Sequence, residues 1–190
     1  MTVKSITYFE KSGSKNTDET LNLAYKRASE LGIRDIVVAS THGKTALKVA
    51  EIFDTKKNNI VAVTISEGFR AKGWTMTTEE RERLQEKGVK VLTCIHALGG
   101  DLGSAFAEEN GGTTIQEAVC QTLYRFCQGM KVAVEIVLMA ADAGLIPVDK
   151  EVIAIAGTGT GADTAIVVQP AYLRKFFDLR IKEIIAKPRG

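Results

Sequence analysis

An α/β fold built on a parallel sheet is predicted by three features of this 190-residue chain. DIVVAS, NIVAVTIS and VKVLTCI are short apolar runs without polar alternation, the composition of strands buried on both faces. The segments between them carry apolar residues at helical spacing. The order from residue 17 to residue 95 is therefore helix, strand, helix, strand, helix, strand. Parallel neighbours can be joined only by crossovers, which places helices on the faces of the sheet.

Residues 3–9 (VKSITYF) are short, rich in β-branched and aromatic residues and followed by Ser12-Gly13, which predicts a first strand and a turn. In NTDETLNLAYKRASELG, Leu21, Ala24, Ala28 and Leu31 share a helical face. Asn16 or Thr17 is placed to cap it, Asp18 and Glu19 complement the dipole, and Gly32 stops it. DIVVAS is the next strand, and from Thr45 onward Ala46, Leu47, Ala50 and Phe53 step as a second helix. NIVAVTIS comes next as a strand. TTEERERLQEKG then reads as a helix, with Thr77 and Glu80 at capping-box spacing and Gly88 as terminator, before the strand VKVLTCI.

Residues 97–112 (ALGGDLGSAFAEENGG) are glycine-rich and hold no sustained period, so a loop with room for a short helical turn is predicted. Thr114 and Glu117 repeat the capping-box spacing and open a helix to about Cys127, with Gly129 as its stop. MKVAVEIVLMAADAG has the β-branched content of a strand, but its length and the stop at Gly144 with Pro147 beyond predict a largely buried helix. EVIAIAG and TAIVVQP are two strands joined by GTGTGAD, and EIIAKPR is a short closing strand. No repeat, low-complexity tract or linker interrupts the pattern, so residues 1–190 form a single domain.

A net charge of +2, with no basic run and no interleaved aromatic stripe, argues against a nucleic-acid partner and leaves room for a small anion. Cys94, Cys120 and Cys127 are odd in number and form no CxxC pair, which argues against a zinc site or a disulfide framework and predicts buried free thiols. The start MTVKSITYFEKSG lacks signal-peptide architecture, and no apolar run approaches the ~18 residues that cross a bilayer, so no membrane partner and a cytoplasmic setting are expected.

Ligands of open α/β sheets lie at the carboxyl ends of strands, where the strand order switches. Ser40, Thr41, His42, Gly43, Lys44 and Thr45 come after the first buried strand and run into a helix. Free N–H groups, the positive dipole end, three hydroxyls and the Lys44 ammonium suit a phosphate there; the plain alternative is an N-cap that satisfies one backbone donor. Gly157, Thr158, Gly159, Thr160, Gly161, Asp163 and Thr164 form the second cluster. Gly157, Gly159 and Ala162 mimic a dinucleotide fingerprint, but the loop runs into Ala165-Ile166-Val167-Val168 instead of opening a helix, so no such site is expected. It either presents successive N–H groups as an anion nest facing the first cluster or is a tight connection that needs positive φ.

Ser66, Glu67, Gly68 and Phe69 come after the second buried strand, and His96 after the third. His96 is a general acid or base candidate without an identified partner. Glu135 and Asp142 lie seven apart on one helical face; acid/base work is one use of such a pair, and accepting hydrogen bonds from a neighbouring loop or subunit is the favoured one.

Ser40-Thr41-His42-Gly43-Lys44-Thr45-Ala46 after a buried strand, NIVAVT after the helix, and VIAIAGTGTGADTAIVV near the end together resemble the C-terminal, allosteric α/β domain of pyruvate kinase. The phrases NTDETL, VVAS, MAADAG and GADTA resemble stand-alone, archaeal-type proteins with that domain over nearly the full length. The resemblance implies a three-layer α/β/α domain, a mostly parallel sheet of order 3-2-1-4-5 with the last strand antiparallel, and a phosphate pocket enclosed by the two loops. It implies no kinase activity, because the kinase's catalytic residues belong to a barrel of about 250 residues. Two positions depart from the kinase: His42 stands where it has Ser, and the second loop lacks the bulky and basic residues that grip a sugar bisphosphate.

The expected function is that of a binding domain for a phosphorylated small molecule. The cofactor is unassigned; flavin mononucleotide (FMN) is the candidate the stand-alone group suggests, with its phosphate on residues 40–45 and its ring on surfaces such as Phe69. The alternatives are a flavin- or phosphosugar-dependent enzyme using His42, His96 or Glu135 as proton carrier, and an oligomeric assembly protein with an unused pocket. Related domains associate through sheet edges and helices, so a homo-oligomer is expected.

Overall fold

A computed structural model describes residues 3–190. The chain runs β1 (Thr7–Phe9), α1 (Thr17–Leu31), β2 (Asp35–Ala39), α2 (Lys44–Ile52), β3 (Asn59–Val63), α3 (Thr78–Glu86), β4 (Lys90–Leu92), α4 (Leu102–Asn110), α5 (Ile115–Tyr124), α6 (Gln128–Asp142), β5 (Val152–Ala156), β6 (Thr164–Gln169) and β7 (Arg180–Pro188). Short 3-10 turns occupy Ser14–Asn16, Glu67–Lys72 and Leu173–Asp178.

The sheet order is β1-β7-β6-β5-β2-β3-β4. From β4 to β5 all neighbours are parallel, and β6 is antiparallel to β5. This is the expected five-strand order. It is extended past β6 by β7, antiparallel to β6, and by β1, parallel to β7. The closing strand is longer than EIIAKPR suggests because the exposed, charged start Arg180-Ile181-Lys182 already pairs with the end of β6.

Each apolar run serves two cores, which explains its lack of alternation. Val37, Val61, Ala154 and Ile166 face α6; Ile36, Val38, Ile60, Ile153 and Ile155 face α1, α2 and α3. Fully burying such a side chain stabilises the fold by about 1.5–3 kcal/mol. α6 is a helix, as its length predicts. Twelve of its residues are buried, so no polar face betrays the period; the buried charges Lys131 and Glu135 pair with each other at 2.6 Å.

Several boundaries differ from expectation. Thr77 and Glu80 complete a reciprocal capping box, whereas at α5 only Thr114 caps, and the Glu117 carboxylate accepts from Gln121 instead. The Asn16 amide donates to Lys11 O and caps nothing, and Leu31 is exposed at the end of its helix. α5 stops at Tyr124. Cys127 caps α6 through its thiol, which accepts from Met130 N at 3.3 Å. Gly129 lies inside α6 and is no stop; a Cβ there would sit 2.1 Å from Thr164 Oγ1, so this glycine permits contact between α6 and β6. Residues 102–110 form a full helix, capped by Asp101, in the stretch whose glycines predict a loop.

Of the free cysteines, Cys120 is buried and Cys94 and Cys127 are half-buried. Among the described residues no helix is long and apolar enough to cross a membrane, and no cluster of three or more His, Cys, Asp or Glu is arranged to hold a metal.

Candidate functional site

β2 and β5 are parallel neighbours, with Val38 opposite Ile155, so residues 40–45 and 157–163 leave the sheet side by side. From β2 the chain winds outward through β3 and β4, and from β5 it turns the other way through β6. This is the switch in strand order at which α/β proteins place ligands. Residues 64–69 leave β3 next door, where Ser40 N–H donates to Val63 O at 3.0 Å and the Thr64 and Thr93 hydroxyls meet at 2.6 Å.

In the first loop, buried Ser40 accepts a hydrogen bond from Ala46 N–H at 3.2 Å, so one donor of the α2 first turn is capped internally. Gly43 is the N-cap residue, and no side chain caps from there. Among the described residues no acceptor meets the N–H groups of Lys44 and Thr45. Lys44 is exposed, Thr41 is half-buried and Thr45 buried. The first turns of α1, α3 and α5 carry acidic residues, whereas those of α2, α4 and α6 carry none, and α2 alone of these three begins on a lysine. An ammonium at the positive end of a helix is unfavourable by about 0.3–1 kcal/mol, a sign that a bound anion reverses.

Gly43 has φ +79°, and a Cβ there would lie 3.2 Å from Leu84 Cδ1 and 3.7 Å from Met76 Cε, so the loop rests on α3. His42 Nδ1 lies 3.1 Å from Glu80 Oε2, which also accepts from Thr77 N–H at 2.9 Å. A carboxylate only accepts, so Nδ1 carries the proton and Nε2 is the free nitrogen. Burial pushes the Glu80 pKa up, but the Thr77 N–H and His42 outweigh it and hold the carboxyl below its usual range.

The second loop is a tight connection, the plainer of its two readings from sequence, with most of its donors satisfied within the chain. Asp163 is fully buried: Oδ2 accepts from Gly13 N–H at 2.8 Å and Thr158 N–H at 3.2 Å, and Oδ1 from the Thr164 hydroxyl at 2.8 Å. Ala162 N–H donates to Thr17 Oγ1 at 3.0 Å, Thr160 N–H to Thr158 O, and Asp163 N–H to Ala156 O. Asp163 and Thr164, expected among the ligand contacts, therefore build the loop and leave no face for a ligand. Gly157 and Gly161 allow the fold-back; a Cβ would come within 2.6 Å of Gly161 O and 2.4 Å of Thr17 Oγ1 respectively. Thr158 is half-buried, and the exposed tip, Gly159 and Thr160, is the part left to wall a pocket.

The third cluster is aromatic. Ser66 leads into the 3-10 turn, Gly68 is exposed, and the Phe69 ring is near-parallel to those of Trp74, at 5.8 Å, and His96, at 6.0 Å. Lys72 Nζ lies over both Phe69 and Trp74. Sequence reasoning misses Trp74, whose signal is a lone tryptophan after Gly73 in a polar stretch. Burial drives the His96 pKa down, with Glu135 opposing and Lys131 adding to the shift, so its imidazole is neutral near pH 7. Glu135 accepts from Leu98 N–H at 3.0 Å and from Lys131, and Asp142 accepts from Leu173 N–H at 2.9 Å. Both carboxylates hold neighbouring loops, the use favoured from sequence. A cleft of about 700 Å³ between β1, α1 and β7 lies away from these loops, and its Arg27 is paired with Glu183 and Glu30.

A solved pyruvate kinase from Cryptosporidium parvum, in complex with ADP, is similar over 90% of this chain at 14% identity and a TM-score of 0.41. The chain spans about a quarter of that enzyme, 24% of its length. The family described as "Pyruvate kinase, alpha/beta domain" matches residues 18–168, which run from the first turn of α1 into β6 and leave β1 and β7 outside. Over four of every five residues, then, this chain belongs to the pyruvate kinase alpha/beta domain family.

Proposed function

We propose that the chain binds a phosphorylated small molecule at the carboxyl ends of β2 and β5. The phosphate lies on the N–H groups of Lys44 and Thr45, with the Lys44 ammonium and the Thr41 hydroxyl beside it and the Gly159–Thr160 tip opposite. The observation that carries this is the first turn of α2: two unpartnered donors, no acidic residue, and a cation at the positive dipole end. The 190 residues supply this domain and no barrel of about 250 residues, so pyruvate kinase chemistry is not among what they offer.

FMN is the candidate ligand, with one phosphate for α2 and a planar ring for the Phe69, Trp74 and His96 stack. Trp74 is the sole tryptophan, so its fluorescence reports a ring arriving there. FMN should quench it, inorganic phosphate should compete with FMN, and Lys44→Ala should weaken both ligands by about 1–2 kcal/mol with the fold intact. Failure of every phosphorylated ligand to bind removes the proposal; phosphate binding without quenching by FMN removes only the flavin.

A second reading, an enzyme, draws support from His42, two residues before Lys44 in the same loop, whose ring is oriented by a carboxylate through Nδ1. Glu135, sealed under Leu98 by Lys131, is no longer a candidate proton carrier. A cytoplasmic setting suits three unpaired thiols, which stay reduced there.

A further inference from the structure

We infer that the cleft between β1, α1 and β7 binds a free amphipathic anion, a fatty-acid-like carboxylate whose chain lies on the apolar floor and whose head meets the lysines of the rim. At about 700 Å³ the cleft falls within the ~300–1,000 Å³ of small-molecule sites, and none of its lining residues belongs to the loops at the ends of β2 and β5. Two of its walls, β1 and β7, lie outside residues 18–168, so membership of the family does not account for it.

β7 is shaped toward this cleft. Ala165 pairs with Ala186 and Ile166 with Ile184, which leaves Ile185 as an extra residue; Val167 pairs with Glu183 and Val168 with Ile181, which leaves Lys182 as another. A bulge of this kind re-aims a side chain at the expense of the ladder, and bulges collect beside functional sites. Both extra residues line the cleft, one apolar and one cationic. Ile185 is buried and meets Leu23 of α1 in the lining, and Ile6 and Val3, 38% and 80% exposed, continue the apolar surface along the lead into β1.

The charge in the cleft selects an anion. Four cations, Lys4, Lys26, Arg27 and Lys182, stand against two carboxylates, Glu30 and Glu183, an excess of +2 that equals the formal charge of the whole chain. Arg27 holds both carboxylates: Nε and Nη2 donate to Glu183 at 2.7 and 2.6 Å, and Nη1 to Glu30 at 2.6 Å. Lys4 reaches the same Glu30 oxygen at 3.1 Å. Lys26, one turn before Glu30, finds that carboxylate taken, and among the described residues neither Lys26 nor Lys182 has an acidic partner. Recognition of a membrane surface takes clusters of about four to eight basic residues, more than this excess supplies. Two ammonium groups beside an apolar floor suit one carboxylate on one hydrocarbon chain.

Amide spectra recorded while dodecanoate is added below its micellar concentration test this. Signals from residues 4–7, 23–27 and 182–185 should shift together and saturate, while the Lys44 and Thr45 amides stay in place. Octanoate should bind about tenfold more weakly or worse, since its chain covers four fewer methylenes. Lys26→Gln combined with Lys182→Gln should weaken dodecanoate about tenfold with the fold intact, and a neutral glycoside carrying the same chain should bind the wild-type protein about tenfold more weakly than dodecanoate does. The inference is overturned by the absence of a saturable shift in these residues, by unchanged dodecanoate affinity in the double variant, by equal binding of the neutral glycoside, or by attachment to anionic phospholipid vesicles without binding of dodecanoate. Inorganic phosphate reports on the α2 site alone, so either site can fail without the other.

Discussion

Gly43 and Lys44 are adjacent, yet they answer to different demands. Gly43 serves the backbone: its positive φ strains any side chain, and a Cβ there would crowd Leu84 at 3.2 Å. Gly43→Ala should therefore cost about 1–3 kcal/mol of stability, read as a lower urea midpoint at unchanged slope. Lys44 serves the surface, which is why its loss should touch affinity and spare the fold. His96 adds a pH dependence. Its folded pKa is depressed by burial, so below about pH 6.5 the unfolded chain takes up a proton that the folded chain refuses. Stability is complete above that pH and falls as acid approaches the folded value; His96→Gln should flatten this limb of a pH series of unfolding curves. Residues 40–45 are legible in the sequence because strand, loop and helix start are consecutive. Asp163 is not, since its partner Gly13 lies 150 positions away and a lone aspartate in a glycine loop carries no mark of it.

At the scale of elements, α6 shows what a local pattern hides. Its helical state is readable from length and the Gly144–Pro147 stop, but its partners are not, because burial on nearly every face erases the period. Lys131 and Glu135 form a pair in the apolar layer, and Leu98 N–H depends on the same carboxylate. Glu135→Ala should leave a buried ammonium and an orphaned amide, at a cost of about 3–5 kcal/mol in unfolding free energy. A loss below about 1 kcal/mol would mean that Lys131 reaches water. α4 is illegible for the opposite reason. Glycines dominate its flanks, and the residues that would reveal an apolar face, Leu102 and Phe106, stay exposed among the described residues.

The whole molecule is a parallel sheet whose order switches between β2 and β5, with β7 and β1 added beyond the antiparallel β6. The five-strand order is readable only through a family resemblance, because crossovers dictate parallel neighbours but not which strands adjoin. The added strands are legible as strands in VKSITYF and EIIAKPR, but their places in the sheet are not: β7 begins with charged, exposed residues and β1 has three residues, so neither shows a buried run that would seat it. The switch point sets the location of the site, and it is where the central claim can be tested. Backbone amide spectra recorded while inorganic phosphate is titrated in give the most direct measurement. The Lys44 and Thr45 amides should move first and furthest, with Gly159 and Gly161 moving after them, and Lys44→Ala should shift the midpoint to higher phosphate. Saturation that leaves the Lys44 and Thr45 amides in place, or perturbs only residues remote from the carboxyl ends of β2 and β5, would contradict it.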